Sequence, residues 1–380
     1  QAMNEKEVAE IRRRFRLEKS NITHVRVCYV NENREIISQF NQSLAMTEQE
    51  EAEQILACLK RVLSGTLGKN LMDVTFTTQQ VVDSEEHRLL MALKNSALND
   101  EEAVQAFYQK VIQSLAIDGH YMILLAFDTY DVPYRTKDGE TQEEAASEVY
   151  SYLVCSVCPV KMTKPALSYF ARDNLLHNRS VDWVLSPPEV GFLFPAFDDR
   201  AANLYNALYY SRNLAENHEE LAEAVFHCDL PMPAAEQRET FDTVLGETLE
   251  EDCSLDVVQS VQEHLQEMIQ EHKERKEAEP LTLSVRTVKN VLEGCGVPEN
   301  RLEAFEEKYG EAFGADTELS PRNLVDRKLQ VKTPDVVIQV NPERSDLVQT
   351  RIINGAKYIL IRAEGGVEVN GVDIHIKEEQ

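Results

Sequence analysis

An α+β fold is predicted for this chain, and three observations lead to it. Two runs, "HYMILLAFDTYDV" (120–132) and "VYSYLVCSVCPV" (149–160), are apolar on both faces, as strands in the middle of a covered sheet are. The stretch "SLDVVQSVQEHLQEMIQEHKERK", opened by Ser254, repeats its apolar residues at helical three- and four-residue steps. The last sixty residues return to short strands, with "ING" and "VNG" turns of the kind that close hairpins. At 380 residues the chain needs more than one core. Three regions are expected: a mainly antiparallel sheet with helices over 3–197, a helical middle over 198–279, and C-terminal helices followed by a β-meander over 280–380.

The elements follow in order. A short charged helix is expected at about 4–15, then a hairpin of "ITHVRVCYV" and "REIISQF" around "NEN". Thr47 with Glu50 has the spacing of a capping box before "EQEEAEQILACLKRVL", and Gly65 stops that helix. "MDVTFTTQQVV" alternates like a strand. Ser84 and Asn99 or Asp100 cap two amphipathic helices. Between the two long apolar strands, "PYRTKDGETQEEAAS" reads as a polar loop with a Lys-Asp-Gly turn. "VDWVLS" and "GFLFPAF" suggest a further strand pair. Asp198 or Asp199 is expected to cap a helix through "RAANLYNALYYSRN", placing Tyr205, Tyr209 and Tyr210 at helical spacing. "KERKEAEP" is the clearest linker, and Ser284 caps "VRTVKNVLEG" beyond it.

Composition narrows the function classes. With 66 acidic and 39 basic residues the formal charge is −27, which disfavours phosphate backbones and anionic membranes as partners. No apolar run is long enough to cross a bilayer, and the charged N-terminal stretch has no apolar core of the length a secretion signal needs. Seven scattered cysteines, an odd number, fit reduced thiols and a cytoplasmic setting.

Cys155 and Cys158 form the chain's one Cys-x-x-Cys pair. Residues three apart in a strand face opposite ways, so the pair is read as structural, with Pro159 ending the strand, and neither as a zinc nor as a redox site. "SGTLGKN" (64–70) has the wrong glycine spacing for a phosphate loop and reads as a helix C-cap and turn. His87, His120, His177 and His218 stand alone, and no hydrolase or zinc-peptidase motif is present. No cofactor is predicted.

Three segments, "RRRFRLEKSNITHVRVCYVNENREII", "CSVCPVKMTKPALSYF" and "VGFLFPAFDDRAANLYNALYYSRN", resemble the bacterial family catalogued as domain of unknown function 4317. The resemblance runs from about Met3 to the C-terminal strands. It implies an intracellular bacterial protein and supplies no reaction, ligand or catalytic residue. The cadence of "VVIQVNPERSDLVQTRIINGAKYILIR" is also similar to the C-terminal part of bacterial nucleoid-associated proteins.

The leading expectation is a cytoplasmic interaction or regulatory protein acting through protein contacts or self-association. Its candidate surface is the seam Val258, Val261, Leu265, Met268, Ile269 and His272. One alternative is a metal-dependent enzyme on a phosphate or nucleic-acid substrate, with Asp128, Asp131, Asp198 and Asp199 gathering Mg2+. Another is a nucleoid-associated protein using Arg12, Arg13, Arg14 and Arg16 as a basic patch.

Overall fold

The computed structural model describes residues 3–135, 141–326 and 328–377. The chain divides into two compact units. The first runs to Glu236 and takes in Ala278–Pro280, and the second comprises Gln237–Glu277 and the residues from Leu281 onward.

In the first unit α1 (Glu5–Arg12) starts at a capping box, in which the Asn4 side chain accepts from the Glu7 amide and Glu7 accepts from the Asn4 amide. β1 (His24–Val30) and β2 (Ile36–Ser43) form the expected hairpin, closed by Asn31 accepting from the Asn33 and Glu35 amides. Before α2 (Gln49–Lys60) the Thr47–Glu50 box does not form. The Thr47 hydroxyl turns back to the Ser43 carbonyl at 2.7 Å, and Glu48 holds the N-cap without a side-chain bond. β3 (Leu71–Thr75) is shorter than its alternation suggests, because Thr77 and Gln80 build a capping box that opens α3 (Thr78–Val82). α4 (Glu85–Asn95) and α5 (Glu101–Ser114) begin at Ser84 and Asp100, each accepting the third amide of its helix.

β4 (His120–Arg135) and β5 (Thr141–Met162) then pair antiparallel along their length. These arms take up most of the expected polar loop, since backbone pairing continues beyond the apolar runs. Its Lys-Asp-Gly turn lies outside the described residues. Pro159 does not end β5, because its carbonyl still accepts the Ser186 amide at 2.8 Å and the strand runs on to Met162. β6 (Leu167–Phe170) and β7 (Leu175–Asn178) make a small hairpin. β8 (Trp183–Leu185) and β9 (Val190–Phe194) each pair with β5 and not with one another.

The helix expected from Asp198 is replaced by strands: β10 (Ala196–Asp198), β11 (Ala201–Asn203) and β12 (Asn206–Ser211). Asp199 and Arg200 adopt φ of 47° and 69°, which reverses the chain between β10 and β11. Tyr209 and Tyr210 consequently face opposite sides of the sheet, each into a different core. A two-residue period won over an apparent helical one because the run is buried on both faces. α6 (Glu219–Phe226) follows.

The sheet order is β2-β1-β4-β5-β9-β12-β3, with β8 beside the end of β5, and every pairing in it is antiparallel. Leu125, Leu153, Cys155, Phe192 and Tyr209 pack on one face with Leu90, Phe107 and Phe226 of α4, α5 and α6. Leu124, Val154, Cys158, Leu193 and Leu208 pack on the other with Ile11, Leu56 and Leu59 of α1 and α2. The centre of the sheet is therefore covered twice.

α7 (Ala234–Leu249) spans the boundary between the units. In the second unit α8 (Leu255–Arg275), α9 (Val285–Gly294), α10 (Glu299–Phe313) and the single turn α11 (Pro321–Leu324) enclose a separate core around Phe241, Val261, Leu265, Leu292 and Phe305. Ser254 and Ser284 cap α8 and α9 as expected. Three hairpins complete the unit: β13 (Leu329–Lys332) with β14 (Val337–Val340), β15 (Val348–Ile353) with β16 (Ala356–Ile361), and β17 (Val367–Val369) with β18 (Val372–Ile374). The last two close on Asn354-Gly355 and Asn370-Gly371, all four residues at positive φ.

Gly191 sits where β9 meets β5 under the end of α2. A Cβ there would collide with the Cys155 carbonyl and the Val62 side chain. Gly191→Ala is expected to cost about 1–3 kcal/mol through overpacking, read as a lower urea midpoint with an unchanged slope.

Candidate functional site

A connected set of polar side chains in the first unit joins the N-terminal segment to β4, β5 and the β10–β11 turn. Glu10 accepts two bonds from Arg200, at 2.6 and 2.8 Å, and one from the Tyr130 hydroxyl at 2.7 Å. Arg200 also donates to the Pro133 carbonyl at 3.0 Å. Four residues after Glu10, the Arg14 guanidinium lies 4.6 Å from the centre of the Tyr130 ring and donates to the Thr129 carbonyl. Its other neighbour is Asp128, at 3.6 Å.

Asp128 is 1% exposed. Its carboxylate accepts the Tyr152 hydroxyl at 2.5 Å and the Asn21 amide at 2.8 Å. Tyr150 stacks on Tyr152 with ring centres 4.8 Å apart and donates to the Pro195 carbonyl. Burial raises the Asp128 carboxyl above its ordinary value, while the Tyr152 bond and the Arg14 charge pull it back only in part. Burial also raises Glu7, which accepts the Asp199 amide at 2.8 Å.

The four aspartates singled out from the sequence thus have separate surroundings. Asp128 is enclosed and fully engaged, whereas Asp131 is exposed on β4. Asp198 accepts from Asn203 at 2.9 Å, and Asp199 is an exposed turn residue. Among the described residues, no three or more His, Cys, Asp or Glu side chains are grouped to hold a metal ion. The arginine run does not present one basic face either. Arg12 donates to the Leu63 carbonyl and Arg14 turns to Asp128, so only Arg13 and Arg16 point outward.

Cys155 and Cys158 lie on opposite faces of β5, in different cores. Cys158 has a partner that its sequence neighbours do not reveal. The sulfur of Cys58, on α2, is 3.3 Å from the Cys158 sulfur. Ser156 reaches both residues, 3.5 Å from the Cys158 sulfur and 3.4 Å from the Cys58 carbonyl.

A family model described as domain of unknown function, DUF4317, matches residues 3–372. The chain belongs to this family. No curated protein matches it. In this DUF4317 chain the α8 seam is taken up inside the second unit. Val261 and Leu265 are buried in its core, Met268 packs against them, and Val257 takes the buried place expected of Val258. His272 is buried and Ile269 half-buried. The outer flank of α8 is engaged as well: Gln262 donates to the Leu324 carbonyl at 3.2 Å, and Gln259 donates to the Ser345 carbonyl at 3.1 Å. An open groove of about 450 Å³ lies between α8 and α9, with Glu263, His264 and Glu267 on one wall and Thr287 and Asn290 on the other.

Because the folded-state value of Asp128 is raised, its contribution to stability is full below the ordinary aspartate value of 3.8 and fades as pH rises through the raised value. Asp128→Asn removes that contribution. The stability difference between the parent and Asp128→Asn is expected to shrink across this window, as followed by urea unfolding at a series of pH values.

Proposed function

We propose that this chain works through contacts with other proteins, and that its contact surfaces are two β-hairpin arms. One observation carries this reading. Among the described residues 25 large apolar side chains are exposed, and 19 of them fall in two segments, 162–185 and 336–376. Scattered exposed apolar residues need no explanation, but clustered ones mark interaction surfaces.

The first arm, on the first unit, comprises β6, β7 and β8 and exposes Leu167, Tyr169, Leu176 and Trp183. The second, on the second unit, comprises the C-terminal hairpins and exposes Ile352, Tyr358, Val372 and Ile376. Isolated two-stranded hairpins are marginal in water, so an added strand would stabilise them. Their open edges offer backbone donors and acceptors to an extended segment, and their apolar faces offer it contact area. Charge favours the same places. Residues 328–377 hold seven Lys or Arg and six Asp or Glu, and residues 167–185 hold two of each, within a chain of net −27. A partner approaching these arms avoids the repulsion that the rest of the chain exerts on anions.

The setting we infer is the bacterial cytoplasm, on the family resemblance and the odd number of thiols. No helix of the described residues is long and apolar enough to cross a membrane. Metal-dependent chemistry with Mg2+ at Asp128, Asp131, Asp198 and Asp199 is the weaker reading, since Asp128 is already enclosed by Tyr152, Asn21 and Arg14. Nucleic-acid binding is weaker still, because Arg12 and Arg14 are turned inward.

A photo-cross-linking residue placed at Leu176 or Ile352 in the native cell is expected to give a discrete protein adduct. The same residue at exposed Glu102 should give none. The adduct at position 352 should disappear when Tyr358→Asp is added. An adduct containing a second copy of the chain would assign the contact to self-association, and one containing a different protein would assign it to that partner. Equal labelling at the arms and at Glu102 would refute the reading.

A further inference from the structure

We infer that Cys58 and Cys158 form a peroxide-reactive dithiol, in which Cys58 is the attacking sulfur and Cys158 the resolving one. The two sulfurs stand 3.3 Å apart across the contact between α2 and β5. A disulfide needs them at roughly 2.0 Å, an approach within reach of small side-chain rotations. Their accessibility differs in the sense the chemistry requires. Cys58 is half-buried on the helix, while Cys158 is fully buried.

The local hydrogen bonds separate the roles further. The contact with the Cys158 thiol lowers Cys58, with Ser156 and the nearby Arg61 adding to the effect against burial. The same contact, together with burial, raises Cys158, so the proton stays on the inner sulfur. The lowered thiol thus belongs to the less buried of the two residues, and a lowered thiol is what makes a cysteine reactive toward peroxide. Cys28 and Cys155 contrast with it, since burial raises both with nothing to oppose it.

The oxidant is a hydroperoxide, in the simplest case hydrogen peroxide. Cys58 sulfur attacks one peroxide oxygen, the O–O bond breaks, and Cys58 sulfenic acid and one water result. Cys158 sulfur then attacks the Cys58 sulfur. The S–O bond breaks, an S–S bond forms, and the hydroxyl leaves with the Cys158 proton as a second water. Each sulfur is oxidised by one electron, and the two peroxide oxygens are reduced. The product covalently fastens α2 to the central strand and closes a loop between positions 58 and 158.

The experiment treats the fully reduced, full-length chain with equimolar hydrogen peroxide, blocks the remaining thiols with N-ethylmaleimide, and maps a non-reducing digest by mass spectrometry. The expected result is a linked peptide pair containing Cys58 and Cys158, reversed by dithiothreitol, with exposed Cys295 still alkylated. Cys58 should react about tenfold faster than Cys295. In Cys158→Ser the sulfenic acid should persist on Cys58 and be trapped by a 1,3-diketone. Oxidation of Cys295 ahead of Cys58, or sulfenic acid on Cys58 of the parent chain without the Cys58–Cys158 link, would overturn the inference. The mapping of the parent chain stands without any variant.

Discussion

A strand that is apolar on both faces cannot be an edge or a surface, and β5 imposes that condition on the whole first unit. Leu153 and Cys155 point one way and Val154 and Cys158 the other, all fully or almost fully buried. Apolar burial at about 25 cal/mol per Å² makes both faces worth covering, so helices must lie on each side. The flanking strands β4 and β9 inherit the same condition because they pair directly with β5. Gly191 shows how tight the resulting packing is, leaving no room even for a methyl group.

The N-terminal segment completes one of these covers, and its charged residues fasten it there. Glu7, Glu10, Arg12 and Arg14 each bond to a distant part of the first unit: the Asp199 amide, Arg200, the Leu63 carbonyl and Asp128. In most cases the partner lies more than a hundred positions away, so these residues act as ties between elements. The same arrangement explains why Asp128 is a poor candidate for handling a substrate. Its oxygens are occupied by Tyr152 and Asn21, and its burial favours the neutral form. Most of the exposed large apolar side chains lie instead on the hairpin segments 162–185 and 336–376.

Much of this was legible from local patterns. The two-sided apolar strands, the Ser84, Ser254 and Ser284 caps and the Asn-Gly hairpins each depend on residues within a few positions of one another. What failed depended on distance. "RAANLYNALYYSRN" has helical spacing and a preceding aspartate, but sheet pairing with β9 and β3 sends Tyr209 and Tyr210 into different cores and leaves Tyr205 exposed. Thr47 had a cap motif, yet a strand carbonyl offered its hydroxyl a partner first. The Cys-x-x-Cys motif drew attention to Cys155 and Cys158, while the thiol that meets Cys158 is Cys58, one hundred residues earlier. No spacing rule reaches that far. Likewise Asp128 resembled a metal ligand at a strand end until Tyr152 and Arg14 were placed around it.

Native-state hydrogen exchange on the isolated chain at low concentration tests this account most directly. Amides at the centre of β4 and β5, from Ile123 to Ala126 and from Leu153 to Val157, should be the most protected, opening only with global unfolding. Those of β6, β7 and β15 to β18 should exchange orders of magnitude faster, as uncovered hairpins do. Hairpin amides as protected as those of β5 would contradict the account, because the arms would then already be covered and would have no contact left to make.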